Sequence, residues 1–214
     1  MNMLLLGGSG RVGSRIYAQL QAQLLARAAD APGIVPRHTV LAPSINELDL
    51  TRMTAPAWWQ SWCQGVDVVI HAAGVLREQN DNRFAAHLIA ARALCATARS
   101  SGVRHLVRLS CAGADANSAV PWFATHGAID ALFSASGVPT TIVRSGALYV
   151  EGERGSARRY HPYALTLDWH RATGALPLTP IDDAVAAIVN AAVSPAPRRA
   201  AILELAAPRL AHAA

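Results

Sequence analysis

The sequence predicts a doubly wound α/β fold, in which helices cover both faces of a parallel sheet. Short apolar runs alternate with longer segments of helical periodicity along most of the chain. The apolar runs are continuous, as at 66–70 and 105–110, which indicates strands buried on both faces. With 214 residues, 52% hydrophobic and 15% charged, the chain is long enough for a full core. We therefore predict a single domain over 1–214.

The first predicted elements are a strand, a glycine-rich turn and a helix. The apolar run 3–6 enters a turn at 7–13, in which four of the seven residues are glycine. One face of the following helix is apolar, because such residues recur every fourth position at Val12, Ile16, Leu20 and Leu24.

Strands and helices alternate along the rest of the chain. Strands are predicted at 38–42, 47–50, 66–70, 105–110, 140–144 and 201–205. Helices are predicted at 56–64, 83–101 and 121–136, the first with Trp58, Trp59 and Trp62 at a spacing typical of core packing. A last helix is predicted to start with Thr179 as N-cap, Pro180 at its first position and Asp182 at its third.

Residues 146–177 interrupt this alternation and carry many arginine, histidine and aromatic residues. A segment of this length indicates either an insertion that covers a substrate or a mobile surface segment. Tyr149, Tyr160 and Tyr163 lie in it, and each could supply a phenol for proton transfer.

The glycine-rich turn is the motif with the clearest chemical meaning. Gly8, Gly10 and Gly13 match G-x-G-x-x-G, whereas Gly7, Gly10 and Gly13 match the looser G-x-x-G-x-x-G. A turn directly after a strand and before a helix offers unpaired helix N–H groups to a diphosphate. A P-loop is excluded, because Ser14-Arg15 replaces its Lys-Ser/Thr pair. The turn predicts dinucleotide binding.

Composition argues against several other classes of protein. The net charge is +5, but the basic residues are scattered, so we do not expect nucleic-acid binding. Three cysteines without a C-x-x-C motif indicate a reducing compartment, and the expected location is cytoplasmic. No apolar run is long enough to cross a membrane, so no membrane association is expected. The eight histidines show no metal-binding arrangement.

Several motifs occur in an order that resembles a known family. They lie at 7–13, 47–50, 66–74, 109–113, 135–144 and 181–185. Together they resemble the extended and atypical short-chain dehydrogenase/reductases, including NAD-dependent epimerase/dehydratase-like proteins, and are nearest to the NmrA-like and complex-I-subunit-like branch. The resemblance implies a Rossmann fold, an NAD(P) cofactor and a small-molecule carbonyl or alcohol substrate. It leaves open whether the protein is a monomer or a homodimer.

The same resemblance implies where catalytic residues should lie. The family uses a serine after a strand, and a Tyr/Lys pair four residues apart on the next helix, for proton transfer. Ser110 falls at the serine position, Trp122 at the tyrosine position and His126 at the lysine position; a register one residue later pairs Phe123 with Gly127. We take Ser110 and His126 as candidate catalytic residues.

His126 has three possible roles at that position. It could bond a ribose hydroxyl, act as an acid or base with a near-neutral pKa, or be a structural histidine that is merely hydrogen-bonded. His71, at the end of a predicted strand beside the cofactor region, is expected to be structural.

The sequence favours NADP over NAD, although NAD is possible. Leu41–Ser44 should end the second strand and contain no acid to hold the ribose of NAD, and Arg11 could pair with the 2′-phosphate of NADP. The candidate cofactor-binding residues are Gly7, Gly8, Ser9, Gly10, Arg11, Val12, Gly13, Ser44, Asp49, Leu50, Ala72, Ala73, Gly74, Ser110 and His126.

Two functions follow from these observations. The first is a reductase or epimerase-like oxidoreductase with a degenerate Tyr-Lys pair. The second is a dinucleotide-binding sensor, or a regulatory or assembly protein, that performs no catalysis and has no substrate. The missing pair favours the second function, and kinship favours the first.

Overall fold

The computed structural model describes residues 1–29, 39–74, 82–150 and 178–205. The helices in these ranges are α1 (Arg11–Ala29), α2 (Pro56–Cys63), α3 (Asn82–Ser100), α4 (Pro121–Ser134) and α5 (Ile181–Val193). The strands are β1 (Asn2–Leu6), β2 (Thr39–Leu41), β3 (Val68–His71), β4 (His105–Cys111), β5 (Thr140–Ser145), β6 (Ala147–Tyr149), β7 (Leu178–Pro180) and β8 (Ala201–Glu204).

Six of these strands form one parallel sheet in the order β2-β1-β3-β4-β5-β8. Because the strands are parallel, the carboxyl ends of β1, β3 and β4 meet at one edge of the sheet. That edge carries the glycine turn, the segment after His71, and Ser110. The order changes direction at β1, and ligands bind beside such a switch point in open α/β sheets.

Helices cover both faces of the sheet, as the doubly wound prediction requires. Along β1, Leu4 and Leu6 point into a core formed with α2, α3 and α4. Met3 and Leu5 point into a second core formed with α1 and α5. Burial on both faces explains why the strands read as continuous apolar runs. The predicted fold class is confirmed.

The predicted strand at 47–50 is wrong, because this segment is a turn. Its backbone closes locally, with the N–H of Leu48 donating to the carbonyl oxygen of Ser44 at 2.9 Å. Leu48 and Leu50 nevertheless reach the core, being 7% and 8% exposed. The alternation that suggested a strand therefore comes from two leucines that anchor a loop.

The start of the last helix also differs from the prediction. Pro180, not Thr179, occupies the N-cap, and no side chain caps the helix. Thr179 lies in β7, and its hydroxyl oxygen accepts the N–H of Gly146 at 2.9 Å. This bond joins β7 to the chain just before β6, its partner in a small parallel pair that was not predicted.

The tryptophans of α2 are only partly core residues. Trp59 is fully buried, and its Nε1 donates to the carbonyl oxygen of Met53 at 3.0 Å. Trp62 is partly buried against the same core, whereas Trp58 is 52% exposed. Most of the predicted insertion at 146–177 lies outside the described residues.

Candidate functional site

The turn between β1 and α1 is built around Gly7. This residue has φ +88°, a left-handed backbone conformation that favours glycine. The turn closes where the N–H of Gly10 donates to the carbonyl oxygen of Gly7 at 2.9 Å, and α1 begins at the next residue. Of the two motif registers, the geometry favours Gly7-x-x-Gly10-x-x-Gly13, because Gly7 makes the sharp turn.

Close backbone approaches hold this turn against its neighbours. An ideal Cβ on Gly7 would lie 2.7 Å from the Cα of Ala73, in the segment after β3. A Cβ on Gly8 would lie 2.7 Å from the Cβ of Ala42, just after β2. A Cβ on Gly13 would collide with the carbonyl group of Gly7, so glycine is needed for α1 to pack this closely.

Gly10 differs from these glycines, because its Cβ position has one close neighbour, the carbonyl oxygen of Gly7 at 3.2 Å. The first N–H groups of a helix lack intrahelical partners and carry partial positive charge. The turn therefore leaves space beside Gly10 at the amino end of α1. This cradle, in which Ser9, Arg11 and Val12 also lie, fits the diphosphate of a dinucleotide.

Three of the candidate cofactor-binding residues, Ser44, Asp49 and Leu50, lie in the turn after β2. The N–H and the hydroxyl of Ser44 both donate to Oε2 of Glu47 at 2.8 Å. Oδ1 of Asp49 accepts from the N–H and hydroxyl of Thr51 at 2.9 and 2.8 Å. The bond from the Ser44 backbone, then that from its hydroxyl, lowers the pKa of Glu47 below its usual value. Leu50 is buried beneath this turn.

A buried polar cluster lies beside the cradle, centred on Arg108 of β4. Its guanidinium makes three side-chain contacts. Nε donates to Oδ1 of Asp130 on α4 at 2.8 Å. Nη1 lies 3.1 Å from Nδ1 of His71 at the end of β3, and Nη2 lies 3.1 Å from Nδ1 of His126 on α4. Arg108 is 1% exposed; its contacts with Asp130 and His71 are buried, and its contact with His126 is partly buried.

Asp130 balances the charge of this cluster. Its Oδ2 accepts the hydroxyl of Ser110 at 2.9 Å and Nε of Arg144 at 3.0 Å. Arg144 also pairs with Glu204 on β8, 3.2 Å away. A buried ion pair is tolerated when hydrogen bonds satisfy its charged groups, as they do here. The hydroxyl proton of Ser110 is therefore engaged in a hydrogen bond within the protein.

Burial lowers the pKa of both His71 and His126 well below the usual histidine value. The positive charge of Arg108 lowers both further, and His87 on α3 adds to the effect. His126 is partly exposed, and its lowered pKa favours the neutral imidazole. Of the three roles considered for His126, this shift argues against an acid or base with a near-neutral pKa.

Trp122 lies one helical turn before His126, at the position where the resemblance places tyrosine. The two rings pack together, with centroids 4.5 Å apart. Trp122 is 8% exposed, and an indole has no proton that titrates near neutrality. The second register is no better, because Phe123 is buried and a Cβ on Gly127 would collide with the backbone of Asp115.

A small pocket lies beside the cluster. Its lining includes Arg108 and His126 of the cluster, together with Ala73 and Gly74 of the segment after β3. The backbone of Ala73 also lies against the glycine turn at Gly7. The predicted cofactor residue Ala73 therefore adjoins both the turn and the pocket that His126 lines.

The NAD(P)H-binding family matches residues 7–166 of this chain, well over half of its length. The chain belongs to this family. Family membership confirms the predicted NAD(P) binding, and the match begins at Gly7, the residue that makes the turn.

Solved structures agree on the fold. One is a short-chain dehydrogenase/reductase superfamily protein from Agrobacterium tumefaciens with bound NAD, at 17% identity and a TM-score of 0.68, covering 96% of this chain and 77% of that one. Another is the UDP-N-acetylglucosamine 4-epimerase from Bacillus cereus, at 14% identity and a TM-score of 0.67, covering 96% and 79%. A third is a nucleoside-diphosphate-sugar epimerase from Staphylococcus aureus, at 17% identity and a TM-score of 0.63, covering 96% and 71%. No curated protein matches the chain.

Sequence reasoning missed most of the polar cluster of this family member. Arg108, Asp130 and Arg144 were not predicted as site residues. For Arg108 the sequence did carry a signal, since arginine inside an otherwise apolar strand needs a buried partner, but the partners themselves are evident only in the fold. The chain also contains no lysine among its 214 residues, so none of them can supply the lysine of the family pair.

Other expectations can be compared with the described part of the chain. No group of metal-binding side chains occurs there. None of its helices is long and apolar enough to cross a membrane. Its three cysteines are free thiols, and burial raises the pKa of Cys63 to about 11 and of Cys95 and Cys111 to about 12. Tyr149 ends β6, whereas Tyr160 and Tyr163 lie outside the described residues.

Proposed function

We propose that the protein is an NADP(H)-dependent oxidoreductase of the reductase or epimerase kind, acting on a small carbonyl or alcohol compound. The observation that carries the proposal is the cradle of Gly7, Gly10 and Gly13 at the amino end of α1. It opens at the same sheet edge as Ser110 and His126. One of the similar solved structures contains bound NAD, and the other two are epimerases of nucleotide sugars, which supports a small-molecule substrate.

The residues of the site have separate tasks in this proposal. The amino end of α1 holds the diphosphate, and Gly10 leaves room for it. His126 donates a hydrogen bond to a ribose hydroxyl, the task that lysine performs in the family pair. When bound, the reduced cofactor supplies a hydride. Ala73 and Gly74 line the pocket beside His126, in which we place the acceptor.

Proton transfer is the step for which this site is least equipped. Ser110 donates to Asp130, so it can accept a hydrogen bond from a substrate but has no free proton to give. His126 is neutral and is held so by burial and Arg108. We therefore propose that the proton taken up by the substrate comes from water or from a tyrosine phenol of 146–177. An acceptor that takes its proton from water, such as a quinone, suits such a site.

Binding without turnover is the second candidate function. The engagement of Ser110 by Asp130 favours it, because a serine that orients a carbonyl must donate to that carbonyl. In this alternative the protein senses the dinucleotide, or uses it to regulate or assemble another protein.

The proposed preference for NADP rests on two features of the region where we expect the adenosine ribose of the cofactor to bind. Residues 41–44 contain no acid, and Arg11 begins α1 beside the turn. Glu47 opposes the preference, because its carboxylate is bonded to Ser44 and would repel a 2′-phosphate placed nearby. We propose that the charge of Arg11 outweighs that of Glu47, which is already bound to two donors.

Two measurements test the proposed function. Fluorescence titration with NADPH and NADH measures binding and the preference between them. Consumption of NADPH is then followed over a panel of aldehydes, ketones and quinones. Turnover on any of them supports the oxidoreductase, and turnover confined to quinones supports proton uptake from water. Tight binding with no turnover on the whole panel supports the sensor, and no binding of either dinucleotide overturns both.

A further inference from the structure

Arg108 links the two histidines of the site through one rigid group. Its three guanidinium nitrogens face three different partners, which are Asp130, His71 and His126, at 2.8, 3.1 and 3.1 Å. The partners come from α4 and from the end of β3, so a β4 side chain bridges both elements that flank the pocket.

The chemistry of the guanidinium decides how the two imidazoles are protonated. Arginine has five N–H donors and no acceptor, and it remains charged in proteins. The ring nitrogen that faces it must therefore accept. In both His71 and His126 this nitrogen is Nδ1, so the proton of each neutral ring lies on Nε2.

We propose that Arg108 is a positioning residue that fixes His126 as a neutral imidazole with its proton on Nε2, ready to donate to the dinucleotide. This inference rests on the proposed function, in which His126 bonds the ribose. It assigns to Arg108 a task that His126 alone cannot perform, since a free imidazole exchanges between two tautomers and becomes charged near neutral pH.

Arg108 itself is held in place from several sides. Asp130 accepts its Nε, and Ser110 and Arg144 hold the other oxygen of Asp130. The ring of Phe133 lies 5.6 Å from the guanidinium carbon, a distance typical of a cation–π contact. The guanidinium therefore cannot rotate away from the histidines without breaking an ion pair inside the protein.

The surroundings of His126 also keep it neutral. Arg108 faces it from β4, His87 influences it from α3, and Trp122 packs on it from its own helix. His71 on β3 lies on the far side of Arg108, whose charge Asp130 on α4 balances. The hydrogen bond that His126 offers should therefore be constant across the physiological pH range.

Nitrogen NMR of the ligand-free protein tests the tautomers directly. In uniformly nitrogen-15-labelled protein, the chemical shifts of Nδ1 and Nε2 distinguish a protonated from an unprotonated ring nitrogen. His126→Asn and His71→Asn variants assign the signals. We expect Nδ1 unprotonated and Nε2 protonated in both residues, with no titration between about pH 5.5 and 8. A protonated Nδ1 in His126 overturns the proposal.

Two arginine variants test the role of Arg108. Arg108→Met removes the contacts to both histidines, whereas Arg104→Met removes an arginine just before the same strand that pairs with Asp67 outside the cluster. We expect Arg108→Met to mix the tautomers of His126, raise its pKa and weaken NADPH binding about tenfold at neutral pH. Arg104→Met should keep the tautomer and change the affinity less than about twofold. Equal affinities in the two variants overturn the positioning role.

A third variant covers the case in which Arg108→Met does not fold. Arg108→Lys keeps the charge for Asp130, but a single ammonium cannot satisfy Asp130, His71 and His126 together. It should show the same mixed tautomers, and an unchanged spectrum overturns the proposal. Failure of NADPH binding in the wild-type protein would overturn the proposed function instead, while the tautomers of the ligand-free protein would still be measured.

Discussion

Ser110 donates its hydroxyl proton to Oδ2 of Asp130 across 2.9 Å, at the end of the strand where the family carries a substrate-orienting serine. Asp130 simultaneously pairs with Arg108 on its other oxygen. The serine is thus part of a charge-balancing cluster as well as a candidate catalytic group. A purely structural serine can be replaced with a loss of stability but little loss of turnover, whereas a catalytic serine cannot be replaced without a large loss of turnover.

Ser110→Ala separates the structural from the catalytic role. Loss of one hydrogen bond to a buried carboxylate that keeps two arginine partners should lower the free energy of unfolding by about 1.5–3 kcal/mol. NADPH affinity should change less than about twofold, because Ser110 is not in the cradle. Urea denaturation and fluorescence titration measure the two effects.

Ser145→Ala is a matched control for that variant. Ser145 is a buried serine on the neighbouring strand, and its hydroxyl lies 3.5 Å from the carbonyl oxygen of Ser110. If Ser110→Ala reduces turnover by orders of magnitude while Ser145→Ala does not, Ser110 is catalytic, and its bond to Asp130 must then break when substrate binds.

The fold could be predicted because local signals and global packing agree. Strands buried on both faces are apolar throughout, and a glycine turn between a strand and a helix is typical of a dinucleotide-binding fold. One failure occurred where local bonds overrode the pattern, at 47–50, where Ser44 and Glu47 close a turn. Thr179 was misplaced because its hydroxyl serves Gly146, a residue more than thirty positions away.

The site was predictable only in part, for a physical reason. The cradle is local in sequence, so spacing reveals it. The polar cluster joins residues that are far apart in the chain, such as His71 and Arg108, and no spacing relates them. The lowered pKa of His126 could not be predicted from the sequence, because burial and a neighbouring guanidinium are tertiary properties.

Two glycine variants should separate cofactor binding from folding. Gly13→Ala places a Cβ against the backbone carbonyl of Gly7, which cannot move without opening the turn. The gain in helix propensity is about 1 kcal/mol, whereas overpacking costs about 1–3 kcal/mol, so the clash should prevail and lower stability. Thermal unfolding measures this loss.

Gly10→Ala should behave differently, because its Cβ has a single close neighbour, at 3.2 Å, and otherwise points into the space proposed for the diphosphate. We expect a near-native melting temperature and NADPH affinity at least about tenfold weaker. Wild-type affinity in Gly10→Ala would show that the ligand does not approach the backbone there.

The proposed preference for NADP predicts opposite effects of two charged residues. Arg11→Ala should weaken NADPH binding about tenfold and change NADH binding less than about twofold, because NADPH alone carries the 2′-phosphate. Glu47→Gln should strengthen NADPH binding by removing a like charge from the turn after β2. Competition titrations with both dinucleotides measure the two ratios.

Arg15→Ala is the control for Arg11→Ala. Arg15 lies one turn further along α1, where it pairs with Asp182 at 3.6 Å. Both variants remove one positive charge from the same helix, so a loss specific to Arg11 cannot come from net charge. Equal effects on NADPH and NADH would indicate that Arg11 does not meet the 2′-phosphate.

Buried neutral histidines should make the protein less stable in mild acid. Burial lowers the pKa of His105 from 6.5 to about 4, and it lowers those of His71 and His126 in the same direction. Below about pH 6.5 the unfolded chain therefore binds protons that the folded protein does not. By linkage, this contribution to stability is complete above about pH 6.5 and is lost as the pH falls towards the folded-state pKa.

Urea denaturation at a series of pH values measures this loss. Near pH 5, each histidine that is protonated in the unfolded chain but neutral in the folded protein should bind about one proton on unfolding, which lowers stability by roughly 1.4 kcal/mol per pH unit. His105→Gln keeps a polar partner for Thr141, whose hydroxyl lies 3.0 Å from the histidine ring, but does not titrate. The variant should therefore reduce the slope by about one proton. A wild-type free energy of unfolding that is constant from about pH 7 to 4.5 would contradict neutral burial of these histidines.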